Sequence, residues 1–117
     1  MLRIDGTEGE GGGQVLRTAL ALSIVTATPI HIEGIRGKRK KPGLQRQHLT
    51  CVQAAATVSE AEALGSALGS LELKFTPRKA RAGNYRFSIG SAGSATLVLQ
   101  TILPALLAAD APSTVQI

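Results

Sequence analysis

Three carboxylates and five glycines fall within Asp5-Gly6-Thr7-Glu8-Gly9-Glu10-Gly11-Gly12-Gly13-Gln14, directly ahead of an apolar, Ala/Leu-rich segment that runs to Ala27. Bare glycine backbone at a helix N-terminus offers free N–H groups and the positive end of the helix dipole, and both attract phosphate. Asp5, Glu8 and Glu10 would repel phosphate unless a divalent cation bridged the two. The pairing points to a metal-bound nucleotide. A structural reading stands beside it, in which Gly11, Gly12 and Gly13 make a tight strand-to-helix turn and the acids complement the helix dipole. The motif alone leaves both open. Neither the Rossmann glycine spacing nor the Gly-Lys-Ser/Thr ending of a Walker loop occurs here, so those two phosphate signatures fail.

Arg36, Lys38, Arg39, Lys40 and Lys41 carry five positive charges, as many as the net +5 of the whole chain, so this run accounts for the imbalance. A second basic group, Lys74, Arg78, Lys79, Arg81 and Arg86, lies where no acid intervenes between Glu72 and Asp110. With Phe75, Tyr85 and Phe87 the only aromatics, these clusters suit phosphate-backbone contact better than base stacking. The first run precedes a helix N-terminus, where the dipole disfavours cations, and this favours a bound anion over a solvated turn. Arg17 stands in an apolar helical segment with no acid three or four residues away. Such an arginine is costly unless exposed or matched to an anion, which favours a ligand contact. The bland readings cover the rest: His31 outward and solvated on a strand, His48 making a structural hydrogen bond early in a helix, and the lone Cys51 a small core residue. Gln100, the one amide within Leu97 to Leu107, reads by itself as a hydrogen-bonded core residue.

A length of 117 residues and 44% apolar content fit one globular domain. No stretch approaches the roughly 18 uninterrupted apolar residues of a membrane span, and no signal peptide is visible, so a cytoplasmic protein without a membrane partner is expected. Leu2 to Asp5 reads as a strand, Gln14 to Ala27 as a helix, and Pro29 to Ile35 as a strand with Ile30, Ile32 and Ile35 inward and His31 and Glu33 outward. Pro42-Gly43 punctuates the basic run, Leu44 to about Ala63 carries a helical stripe, and Gly65 to Gly69 breaks it. Leu71, Leu73 and Phe75 alternate with polar residues, as do Tyr85, Phe87 and Ile89, and with Pro77 to Asn84 as the turn the pair reads as a hairpin. Gly90 to Ser94 opens a third helix to about Ala109, kinked near Pro104, and Thr114 to Ile117 starts another strand. The order β-α-β-α-β-β, then α-β, predicts an α+β fold with helices packed on one face of a sheet. A chain ending inside a strand is expected to stop partway through a larger repeating protein.

The stretches Gly9 to Arg17 (GEGGGQVLR), Ile35 to Arg39, Lys41 to Leu44 (KPGL), Arg46 to Thr50 (RQHLT), Gly90 to Ser94 (GSAGS) and Leu97 to Thr101 (LVLQT) together resemble the N-terminal third of the RNA 3'-terminal phosphate cyclase family. The motifs come in order across essentially the whole chain. The resemblance implies repeated β-α-β-α-β-β units, similar to the C-terminal domain of translation initiation factor three, with residues 1–90 as a first unit and 91–117 as the start of a second. It implies ATP-dependent conversion of an RNA 3'-phosphate to a 2',3'-cyclic phosphate. In such enzymes a histidine attacks the α-phosphorus of ATP, AMP passes to the RNA 3'-phosphate, and the 2'-hydroxyl displaces AMP. The family's nucleophilic histidine lies in its C-terminal part, neither His31 nor His48 has a matching context, and this chain alone is expected to be inactive.

By matching positions, Glu10 resembles the carboxylate that contacts Mg²⁺ or Mn²⁺ beside the ATP phosphates, while Gly11, Gly12, Gly13 and Gln100 match nucleotide-contacting positions. Arg17 would face those phosphates or the RNA end. Arg36, Arg39 and Gln47 resemble the residues that hold the RNA 3'-phosphate, and Glu10, Arg17 and Arg39 form the implied catalytic set. The implied partners are ATP and RNA with a 3'-phosphate end, with a homo-oligomer left open. Lys38 and Lys40 make the basic run more charged than the family motif requires. Two rivals remain, a catalytically silent relative serving ribosome assembly and a stand-alone RNA-binding module indifferent to ATP. Enolpyruvyl transferases share the repeated architecture, but the basic run is excessive for their small acidic substrates.

Overall fold

The computed structural model describes residues 1–7, 13–88 and 92–117. The expectations placed on Glu8, Gly9, Glu10, Gly11, Gly12, Ile89, Gly90 and Ser91 lie outside them. Along the chain run β1 (Leu2–Asp5), α1 (Gly13–Thr26), β2 (Ile30–Glu33), α2 (Arg46–Ser59), β3 (Glu62–Leu64), β4 (Glu72–Thr76), β5 (Asn84–Arg86), α3 (Ala92–Leu107) and β6 (Thr114–Gln116). Four strands form a mixed sheet ordered β1-β2-β4-β3, with β1 and β2 parallel and the other two pairings antiparallel. β5 and β6 pair in parallel as a separate ribbon.

The α+β class and the helices on one face follow from the alternation of β2 and β4. Ile30 sits opposite Phe75 and Ile32 opposite Leu73, and all four are buried. Successive strand residues point to opposite faces, so this apolar set must be covered by helices. α1 brings Leu16, Leu20 and Ile24 at helical spacing, α2 brings Val52, Ala55 and Val58, and α3 brings Val98, Ile102 and Ala105, all buried in one cluster. Cys51 lies in the same cluster as a free thiol, as expected. Burial pushes that thiol up, against opposing effects from a Thr101 hydrogen bond and the Arg17 charge. Pro104 stands inside α3.

Three expectations need correction. β4 does not form a hairpin with the strand at Tyr85; it pairs with β2 and β3, and the hairpin is β3–β4. The segment after β4 instead passes the C-terminal end of α2, where Arg78 N–H and Arg81 N–H donate to the carbonyls of Ser59 and Val58 at 2.9 Å. These bonds satisfy carbonyls that a helix end leaves without partners, and they carry the chain to the second ribbon. α2 also ends at Ser59 and not near Ala63, because Glu60 turns into the left-handed region (φ 49°) and Glu62–Leu64 pairs with β4. Finally, His31 points away from the helices but is buried. Its Nε2 meets Glu72, its Nδ1 lies 3.5 Å from Glu33, and its register neighbours Arg3 and Lys74 lie on the flanking strands.

Candidate anion site at the start of the first helix

Because β1 and β2 are parallel neighbours, their C-terminal ends leave the sheet at one edge, and parallel strands present their ligand crevices at such edges. Gly6 and Thr7 follow β1 and the basic bend follows β2, so the two segments leave the sheet from neighbouring strand ends. The described start of the loop packs on the start of the bend: Gly6 N–H donates to Glu33 O at 2.7 Å, and a Cβ on Gly6 would lie 2.9 Å from that oxygen. Asp5 accepts from the Thr7 hydroxyl at 2.6 Å and the Thr7 N–H at 2.9 Å, and these bonds, with the Lys38 charge from the bend, hold its carboxyl below the usual range.

Main-chain bonds fix the bend itself. Arg36 adopts φ 50°, Arg39 N–H donates to Arg36 O at 3.0 Å, and Gly43 N–H closes the bend on Ile35 O at 2.9 Å. Leu44 N–H donates to Ser70 O at 2.9 Å and Gly69 N–H to Leu44 O at 2.7 Å, anchoring the bend on the β3–β4 connection. At Gly43 only glycine fits, since φ is 82° and a Cβ would lie 2.3 Å from Gly69 O. Arg36 Nη1 donates to the carbonyls of Lys41 and Gly43, the latter at 3.1 Å. Lys38, Arg39, Lys40 and Lys41 are exposed.

The far end of the loop meets α2. Gly13 is the first residue of α1, and a Cβ built on it would lie 2.7 Å from Arg17 Nη1 and 2.8 Å from His48 Nε2. The two side chains therefore close on one point at the start of α1. His48, in the first turn of α2, is 4% exposed and accepts the Gln45 N–H through Nδ1 at 3.1 Å. Its pKa is pushed down to about 4, first by burial and then by the positive charges of Arg36 and Arg17. Both arginines thus act on the same imidazole. Arg17 Nη2 donates to Gln14 Oε1 at 3.2 Å, but its Nε is buried with no hydrogen-bond partner among the described residues. A buried donor left empty costs about 1–3 kcal/mol, and an anion would relieve it.

The structure thus brings Gly13, Arg17 and His48 together, while Arg36 is folded onto the bend carbonyls and reaches His48 only through its charge. Gln47 is exposed one residue before His48, and Arg39 is exposed on the bend. Gln100 is exposed on α3, not a core amide, and shares with Gln14, Arg17, Ala21, Leu22 and Pro104 the lining of a groove of about 250 Å³ between α1 and α3. Glu10, Gly11 and Gly12 lie outside the described residues. Among the described residues, no group of three or more His, Cys, Asp or Glu could hold a metal ion. The donor set among the described residues suits an anion, and Glu8 and Glu10 lie outside them. The structural hydrogen bond expected of His48 early in a helix is present, its Nδ1 accepting from Gln45 N–H. The spacing of His48 from Gln45 matches no Ser/Thr-led capping signature, so only its position beside Gly13 reveals its place in the site.

No helix among the described residues is long and apolar enough to cross a membrane. Comparison with known proteins matches residues 8–117 to the family model described as RNA 3'-terminal phosphate cyclase. A curated protein of Ralstonia nicotianae named RNA 3'-terminal phosphate cyclase is 62% identical over 116 residues, which cover 99% of this chain and 33% of that protein. The chain thus spans about a third of the length of this relative. With the family match running through loop, bend and all three helices, the chain belongs to the RNA 3'-terminal phosphate cyclase family.

Proposed function

We propose that this chain supplies the phosphate- and RNA-end-binding part of an ATP-dependent RNA 3'-terminal phosphate cyclase, a ligase that converts an RNA 3'-phosphate to a 2',3'-cyclic phosphate. The observation that carries the reading is the orphaned, buried Arg17 Nε beside His48 and Gly13, with Arg36 close enough to depress the same imidazole. Phosphoryl-type transfer is governed by positioning and charge neutralisation, and such a cluster provides both. Arg17 and the α1 N–H groups, with Gly11, Gly12 and Gly13, hold the nucleotide phosphates. Gln100 contacts the nucleotide along the groove it shares with Arg17. Arg36, Arg39 and Gln47 take the RNA 3'-phosphate, Arg36 with its guanidinium already oriented by the bend carbonyls. Glu10 would hold Mg²⁺ or Mn²⁺, which when bound neutralises phosphate charge.

The activity passes through an enzyme-AMP and an RNA-adenylate intermediate, the RNA 2'-hydroxyl finally displacing AMP from the 3'-phosphate. We assign the nucleophile to neither histidine of this chain. His31 is engaged by Glu72 and Glu33, and His48 Nδ1 is occupied by the Gln45 N–H. The attacking histidine belongs to another part of the full-length enzyme, and this chain alone does not turn over.

The test is conversion of a 3'-phosphate RNA end to a phosphatase-resistant end by the full-length protein with ATP and Mg²⁺. Ends that remain phosphatase-sensitive would refute the reading. Glu10→Ala and Arg17→Gln in that protein should lower adenylate transfer without unfolding it, and undiminished transfer would remove their roles.

A further inference from the structure

The site contains a donor to which no role has yet been given. His48 is buried, its Nδ1 lone pair is taken by the Gln45 N–H, and its other nitrogen therefore carries the proton of the neutral ring. Nε2 lies where Gly13 begins α1, and a Cβ on Gly13 would sit 2.8 Å from it and 2.7 Å from Arg17 Nη1. We propose that His48 is a further anion-binding residue of this site, donating Nε2–H to the phosphate group that Arg17 engages at the start of α1. This rests on the anion-site reading above.

The capping bond sets the tautomer, so the N-terminus of α2 pre-orients the donor before any ligand arrives. Burial and the fields of Arg17 and Arg36 keep the ring uncharged at neutral pH, as its depressed pKa of about 4 requires. A third cation in this cluster would be repelled by the two arginines, whereas a neutral N–H adds direction without that repulsion. Gly13 is part of the device, because any side chain there would fill the space between Arg17 and His48.

Two substitutions separate the site role from the capping role. In His48→Asn the amide oxygen takes the place of Nδ1 as acceptor for the Gln45 N–H, and the Nε2 donor is lost. In His48→Gln the amide nitrogen reaches the Nε2 position, and the cap acceptor is lost. The probe is inorganic tripolyphosphate titrated into the full chain by calorimetry, with thermal melting alongside. His48→Asn should bind roughly ten- to hundredfold more weakly, the worth of one hydrogen bond to a charged group, with little change in melting. His48→Gln should keep most of the affinity and melt lower. Unweakened binding by His48→Asn, while Arg17→Gln binds weakly, overturns the His48 role alone. Unweakened binding by Arg17→Gln, or no binding by the wild type, overturns the anion-site reading as well. Should His48→Asn fail to fold, ¹⁵N spectra of wild-type His48 decide. An Nε2–H tautomer whose signal moves with tripolyphosphate supports the role, and an Nδ1–H tautomer or an unmoved signal overturns it.

Discussion

Acidification from pH 7 to 4.5 should cost this fold stability through His48 in particular. In the unfolded chain its imidazole binds a proton near the ordinary value of 6.5, whereas in the folded chain burial, Arg36 and Arg17 delay binding to about 4. Between those two values the unfolded state holds more protons, so stability falls as pH drops through the window and is fully present above it. Each unit of pKa difference is worth about 1.4 kcal/mol, giving a loss of about 1.4 kcal/mol at pH 5.5 and about 2.5 kcal/mol at pH 4.5. For a domain of this size the larger figure lowers the melting midpoint by roughly 10 °C. The assay is urea unfolding of the wild type and His48→Asn at pH 7, 5.5 and 4.5. Other titrating groups contribute equally to both proteins, so the difference between the two pH curves isolates His48. The expected result is a stability difference that shifts by about 2.5 kcal/mol in favour of the variant between pH 7 and 4.5, because the variant has no imidazole to protonate. Parallel curves would falsify the claim that the two arginines and burial hold this ring neutral.

The remaining predictions concern what holds the site in place. Phe75→Ala, at a position with no exposed surface between sheet and helices, should cost about 3–5 kcal/mol in urea unfolding. Gly43→Ala forces a side chain into a left-handed backbone and onto Gly69 O, so it should cost more than about 2 kcal/mol, with faster amide exchange at Leu44 and Gly69. A silent Gly43→Ala would mean that the bend is not seated as described. Gly13→Ala presses a methyl within 3.0 Å of Arg17 Nη1 and the buried His48 ring, so it should cost about 1–3 kcal/mol in urea unfolding and weaken tripolyphosphate binding roughly tenfold or more. Equal affinities would show that the space is not used.

Local pattern revealed which faces would be buried, and long-range pairing decided the rest. The alternation through Ile30, Ile32, Leu73 and Phe75 placed these residues correctly in the core. Alternation specifies a face but not a partner, so it could not show that β4 would choose β2 and β3 over the strand at Tyr85. The helical stripe of α2 runs on through Ala61 and Ala63, and only the left-handed turn at Glu60 and the pairing with β4 reveal why the helix stops at Ser59. His31 was assigned to the right face but the wrong environment, because a polar sheet face can bury a central residue among its charged neighbours. At the site, Arg17 was legible as a cation without a local acid, and its orphaned Nε fits that reading. Gln100 read by itself as a core amide, yet it is exposed in the groove it shares with Arg17. His48 was legible as a hydrogen-bonded residue early in a helix, whereas its place beside Gly13 arises from packing that no local pattern encodes.

The seating of the basic bend has a consequence for how such a protein can change over time. Its shape is set by amide-to-carbonyl bonds to Ile35, Leu44 and the Gly69–Ser70 turn, and by one arginine folded back on the carbonyls. The side chains of Lys38, Arg39, Lys40 and Lys41 take no part in those bonds. A lineage could therefore exchange Lys38, Lys40 and Lys41 freely, tuning attraction for polyanions and its dependence on salt, while the scaffold under them and the phosphate contact proposed for Arg39 stay intact. Selection would act on Gly43 for architecture and on its neighbours for substrate taste, and the two pressures would seldom collide.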